Sequence, residues 1–233
     1  MRLALALALA VAAIAGFAAA PAGATNECRG LQVCVPVAGP WVVVPPSSAV
    51  PRVPVRWVLT CPKGYVVGGL DAELTGPAID VTFDALIGAP VNPGISTSRM
   101  AVFVATMART PAQPESFRPH IGCMPASGGG RAIPTAVRIV PPGHPTVRHV
   151  WTFKVDPGSR RVTRTCSAGE SLVSASSAVG FFMTKPPATP LMASVHAAET
   201  IRAGKIALSI RAGAAVTGRR GVVQLTAVCA GGA

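Results

Sequence analysis

The 233-residue chain is short of acid. Nine Asp and Glu stand against 21 Lys and Arg, for a formal net charge of +12. It is also short of aromatics, with three Trp, seven Phe and one tyrosine, Tyr65. So few stacking platforms exclude a base-stacking, sequence-specific nucleic-acid binder. No Cys-x-x-Cys pair occurs, so thiol–disulfide chemistry of that type is absent and a zinc site lacks its usual close ligand pair. His144 and His149 flank a turn and a strand, while His120 and His196 stand alone; no metal and no cofactor are expected. Neither Gly-x-Ser-x-Gly nor Ser-x-x-Lys is present, which removes two motifs of nucleophilic serine catalysis. Beyond Ala24 no apolar run is long enough to cross a bilayer.

What is present begins with an address. Arg2 precedes an apolar Leu/Ala run, then Pro21 and Ala22-Gly23-Ala24. This is the n-region, h-region and small-residue cleavage site of a signal peptide over 1–24. All six cysteines (Cys28, Cys34, Cys61, Cys123, Cys166, Cys229) follow it, and an even count in an exported chain predicts disulfides. Secretion to an extracytoplasmic, envelope-associated location follows as the expectation, with no transmembrane segment once the signal is removed.

Spacing divides the cysteines. Cys61 and Cys123 are 62 positions apart, and Cys166 and Cys229 are 63 apart. "LTCPKGYVVG" at 59–68 answers "RTCSAGESLV" at 164–173, and "VVVPP" at 42–46 answers "RIVPP" at 138–142. The spacing predicts an internal repeat: an N-terminal segment over 25–40 with a small Cys28–Cys34 loop, module 1 over 41–125, a linker over 126–133 and module 2 over 134–233. Cys61–Cys123 and Cys166–Cys229 each close one module.

Period-two alternation marks strands at 53–60, 78–86, 100–107, 147–155, 205–211 and 221–228. Turn signals separate them at Asn92-Pro93-Gly94, Asp156-Pro157-Gly158, Lys185-Pro186-Pro187 and Arg202-Ala203-Gly204. Gly and Pro are abundant, at 24 and 23 residues, without a period of three, which favours a turn-rich β chain over collagen. The fold class is therefore all-β, as two tandem antiparallel β-sandwich modules of Ig-like or jelly-roll-like type.

"CPKGYVVGG" at 61–69, followed about sixty residues later by a lone cysteine, resembles exported modules common in actinobacteria. Those modules pair a Cys-Pro-x-Gly strand start, followed by a Gly-Gly, with a cysteine on a late strand. Module 1 keeps the pattern; module 2 keeps the Cys and one Gly without the Pro and Gly-Gly. The resemblance implies location and fold, since the group has no established catalytic role.

Two chemistries remain. Asp71, Glu73, Asp80 and Asp84 cluster, and Asp71 and Glu73 share a strand face. That pattern serves an extracellular hydrolase with a carboxylate pair, or equally the solvated side of a half-exposed strand. Charge is more informative. Residues 126–233 hold thirteen Lys or Arg against Asp156, Glu170 and Glu199, whereas module 1 is nearly balanced. Arg160, Arg161, Arg164, Arg219 and Arg220 form the densest runs and are the candidate contacts for an anionic envelope polymer or membrane surface. Trp41, Trp57 and Trp151 sit in apolar strands and read as core rather than as sugar platforms. A non-enzymatic binding or structural protein is the leading expectation.

Overall fold

The computed structural model describes residues 25–46, 53–84, 99–108, 113–126 and 146–231. The expected signal peptide, most of the 126–133 linker, the Asn92–Gly94 turn and the 138–142 segment lie outside the described residues.

The described chain is almost entirely antiparallel β-structure. In order come β1 (Val35–Ala38), β2 (Trp41–Val44), β3 (Val55–Thr60), β4 (Tyr65–Leu74), β5 (Ile79–Asp84), β6 (Met100–Met107) and β7 (Glu115–Pro125). Then follow β8 (Thr146–Lys154), β9 (Gly158–Thr165), β10 (Glu170–Phe181), a one-turn helix α1 (Thr189–Ala193), β11 (Val195–Arg202), β12 (Lys205–Ala212) and β13 (Gly221–Gly231). Alternation builds them in the expected way. In β12, Lys205, Ser209 and Arg211 are exposed while Ile206, Leu208, Ile210 and Ala212 are buried.

Pairing reveals the repeat strand by strand. In the first half β4, β7 and β2 lie side by side and face a sheet ordered β3-β6-β5; in the second half β10, β13 and β8 face a sheet ordered β9-β12-β11. β1 and β2 occupy one edge of β7, pairing Val35 with Cys123 and Val42 with Phe117. They correspond to the single strand β8, which pairs Val147 with Cys229 and Phe153 with Val223. Gly39-Pro40 breaks the first copy of this strand in two. Val42 thus corresponds to Phe153, so the strand equivalent to "VVVPP" is β8 and not the 138–142 segment that its sequence resembles. Val35–Ala38, read from the sequence as part of the N-terminal segment, belongs to the same strand system.

The turns after Cys61 and Cys166 coincide as well. Tyr65 N donates to Pro62 O and Glu170 N to Ser167 O, both at 3.1 Å. Gly64 and Gly169, each three residues past its cysteine, have φ of 85° and 83°, a left-handed conformation that glycine adopts without a Cβ clash. Four residues further on, both ladders shift register, between Val67 and Gly69 and between Leu172 and Ser174. Each half therefore carries a β-bulge seven positions after its first cysteine. The disulfides Cys61–Cys123 and Cys166–Cys229 close the two halves, and Cys28–Cys34 closes the N-terminal loop.

Each half has its own core. Phe103, Phe117, Ile121 and Trp57 centre the first, and Phe181, Ile206, Leu208 and Leu225 the second. Each fully buried side chain of this size contributes about 1.5–3 kcal/mol. The halves share one sheet, because the free edge of β2 meets the end of β10 through Val42–Gly180 and Trp41–Phe181. Gly180 leaves no room for a Cβ beneath Pro40 and Trp57. Above the sheet, Gln224 of β13 grips β3: its Oε1 accepts from Val58 N at 2.6 Å and its Nε2 donates to Val58 O at 2.9 Å. Ala178 of β10 packs into the core of the first half.

Candidate functional site

The carboxylates of the first half do not converge. Asp71 and Glu73 lie on the outer face of β4, opposite His120 and Arg118 of β7. Asp71 Oδ2 accepts from Asn26 N at 2.6 Å and its Oδ1 from Ala72 N at 2.8 Å. Glu73 Oε1 lies 2.9 Å from His120 Nε2 and 4.0 Å from Arg118. The His120 contact is a close approach without hydrogen-bond alignment, since Nε2 has no hydrogen-bonded partner. Glu27 comes in from the N-terminal loop, its Oε1 3.7 Å from His120 Nδ1, with both side chains less than a tenth exposed. Asp80 is exposed on β5, in the other sheet, and the Asp84 side chain is outside the described residues.

The motif's last glycine explains why Glu27 can sit there. A Cβ on Gly69, or on Gly122 across the ladder, would overlap the Glu27 carbonyl. Gly68 is tight against Met124 and Leu31. "GG" at 68–69 is thus both a bulge and a notch that seats the Cys28–Cys34 loop on the sheet. The same face of the second half, at Ala178 and Gln224, is covered by β3 instead. This acidic group anchors the N-terminal loop, with Asp71 accepting from Asn26 N and Glu27 set against His120.

At the equivalent turn of the second half, Glu170 Oε2 lies 2.7 Å from His149 Nε2 and accepts from Ser167 N at 2.8 Å. The His149 hydrogen bond, followed by that of Ser167, holds the Glu170 carboxyl below its ordinary value. His149, Glu170 and Cys229 offer ligand atoms within 4.8 Å of one another. Cys229 is bonded to Cys166, so it supplies no thiolate and the trio lacks a third metal ligand. His149 stacks on Trp151 at 5.8 Å; Trp41 and Trp57 are buried, and Trp151 is partly buried against the second core.

A shallow groove of about 750 Å³ runs between Leu74, Thr75 and Glu115 on one side and Pro186, Pro187, Thr189 and Met192 on the other. Among the described residues, Glu115 is its only titratable lining residue.

The arginines singled out in the sequence disperse. Arg160 and Arg164 turn toward Phe153, their guanidinium carbons 5.6 and 5.2 Å from its ring centroid. Arg220 lies over Phe182, and Arg219 is in the turn before β13. Arg161 points the other way, onto the outer face of the β9-β12-β11 sheet.

That face collects cations from three strands. Ladder partners share a face, so the rows read directly from the register. One row joins Arg202, Lys205 and Thr165; the next Thr200, Ala207 and Thr163; then Ala198, Ser209 and Arg161; last His196, Arg211 and Ser159. Four fixed cations and a histidine stand on it without a carboxylate; apart from half-buried Ala207, every residue in the rows is exposed. Glu199, the acid of β11, points to the opposite side and bonds Ser177 Oγ. Sequence runs alone did not single out Arg202, Lys205, Arg211 or His196, because only strand register brings them beside Arg161.

The corresponding face of the first half is different. Asp80 and Thr106 stand where His196 and Arg211 do, Arg56 shares its row with Val104 and then Thr82, and Val102 is buried.

No family model, no curated protein and no solved structure matches the chain. Three disulfides mark a chain that folds in an oxidising environment. Among the described residues, no helix is long and apolar enough to cross a membrane.

Proposed function

We propose that this is an exported, non-enzymatic protein of the cell envelope or extracellular space, with a binding or structural role, whose basic second module contacts an anionic partner. The observation that carries the reading is the outer face of β9-β12-β11, with Arg161, Arg202, Lys205, Arg211 and His196 and no acid among them. A surface of one sign attracts polyanions over about a Debye length and releases them as salt rises. The signal-peptide pattern, the disulfides and the resemblance to exported actinobacterial modules support the location. Partition of the mature chain onto native cell-wall material in a salt series tests it. Binding should weaken steeply between low and physiological ionic strength, and Arg161→Gln with Arg211→Gln should remove most of it. Retention indifferent to salt, or none at low salt, overturns the reading.

A further inference from the structure

We infer that the ligand of this face is a linear polyanion laid along β12, long enough to bridge two cationic ends, and not a lipid headgroup surface. The inference rests on the binding role proposed above and adds the shape of the partner.

The register fixes where the charges stand. Lys205 and Arg202 share the first row, and Arg211 and His196 the last. Six residue steps along β12 separate the two ends, which at about 3.4 Å per step is roughly 20 Å. Arg161 stands beside Ser209, one row before the far end and one strand to the side, about 4.8 Å across. The charges therefore form a narrow track, three strands wide, with a cationic station at each end.

Between the ends the floor is low. Thr163, Ala207, Thr200, Ser209 and Ala198 supply only methyl and hydroxyl groups, so an extended chain can lie against the sheet without steric obstruction. Firm anchoring in a bilayer adds large apolar side chains that enter the acyl boundary, and no outward position in these rows has one; electrostatic contact alone would not select a lipid surface over a chain that spans both ends. A single small anion would engage one end and leave the other unused. A chain spanning both ends gains from the second contact as an intramolecular event.

The test uses the full mature chain and inorganic polyphosphate of graded length, at one low ionic strength, beside inorganic phosphate and vesicles of phosphatidylglycerol in phosphatidylcholine. Affinity should rise by about a hundredfold once the polyphosphate can span both ends. Lys205→Gln with Arg202→Gln, or Arg211→Gln alone, should return the long chain to the affinity of a short one. Arg219→Gln, an exposed cation off the face with the same change in charge as Arg211→Gln, should leave the gain intact. All four positions are exposed on the surface, so the variants keep their cores. Affinity independent of length, vesicles binding as tightly as long polyphosphate, or an equal loss in Arg219→Gln would each overturn the linear-ligand inference while the electrostatic reading stands. Absence of salt-sensitive binding to every probe would overturn that reading itself.

Discussion

The two halves of this chain share a frame and differ in what they mount on it. Both place a cysteine before a four-residue turn, a left-handed glycine three positions on, and a bulge at the seventh. Both pair that cysteine with one on the last strand. Yet the strand face that seats a disulfide loop in the first half receives a neighbouring strand in the second. The sheet that is basic in the second half carries Asp80, Thr82 and buried Val102 in the first. Frame positions are set by backbone geometry and covalent closure, whereas outward positions are free to diverge, because exposed substitutions cost little.

The largest expected effect tests the frame. Replacing Cys61 and Cys123 with serine, or Cys166 and Cys229, opens a loop of 62 or 63 residues. The chain-entropy account gives about 4 kcal/mol for each. Urea denaturation of the two variants should show comparable losses, and a loss in one that is under half of the other would break the equivalence. A smaller effect tests the divergence. Gly69→Ala drives a Cβ into the Glu27 carbonyl and should cost about 1–3 kcal/mol, with faster reduction of Cys28–Cys34. Ser174→Ala, at the corresponding exposed position of β10, should stay within about 0.5 kcal/mol. Equal costs at both would show that the notch has no special role.

The smallest effect depends on pH. The folded Glu170 carboxyl titrates lower than it does in the unfolded chain. Its contribution is therefore present above the ordinary glutamate range and is lost as pH falls through the folded value. Glu170→Gln should lower Tm slightly at neutral pH, and the difference should close in acid. The corresponding residue of the first half is Tyr65, whose replacement by Phe should show no such convergence. A Glu170→Gln difference that persists unchanged to low pH would contradict the assignment.

Much of the fold was legible in the residues. Alternation marks β12 and β8, and the two cysteine spacings assign the long disulfides. β9 was not legible as a strand, because Gly158–Thr165 is polar and exposed almost throughout. It has no apolar face to announce it, and its pairing with β12 decides its conformation. β10 and β11 were also not marked, being rich in small and polar residues over much of their length, and β1, Val-Pro-Val-Ala, is short and apolar throughout, so it carries no alternation to read. The basic site was legible in sign and hidden in place. Arg160 and Arg161 are neighbours in sequence, but consecutive strand residues point to opposite faces. A charge run is therefore split, while Arg161, Arg202, Lys205 and Arg211, spread over fifty-one positions, are brought together. Asp71 and Glu73 do share a strand face, but that face seats Glu27 and approaches His120, contacts from the N-terminal loop and β7 that no pattern within β4 announces.

The join between the halves has a direction. It sets the β2 edge of one copy against the β10 edge of the other, and β10 corresponds to β4 rather than to β2. No two-fold axis relates the copies; they follow one another like carriages, coupler to buffer. In the shared sheet the far side of the first half is β4, with short β1 also paired only to β7, and the far side of the second half is β8; β4 and β8 are different strands of the repeat. Two like halves joined in this manner give a molecule with a front and a back whatever their side chains. An N-terminal half that seats its own disulfide loop and a C-terminal half that presents charge are set on the two ends of an asymmetric coupling.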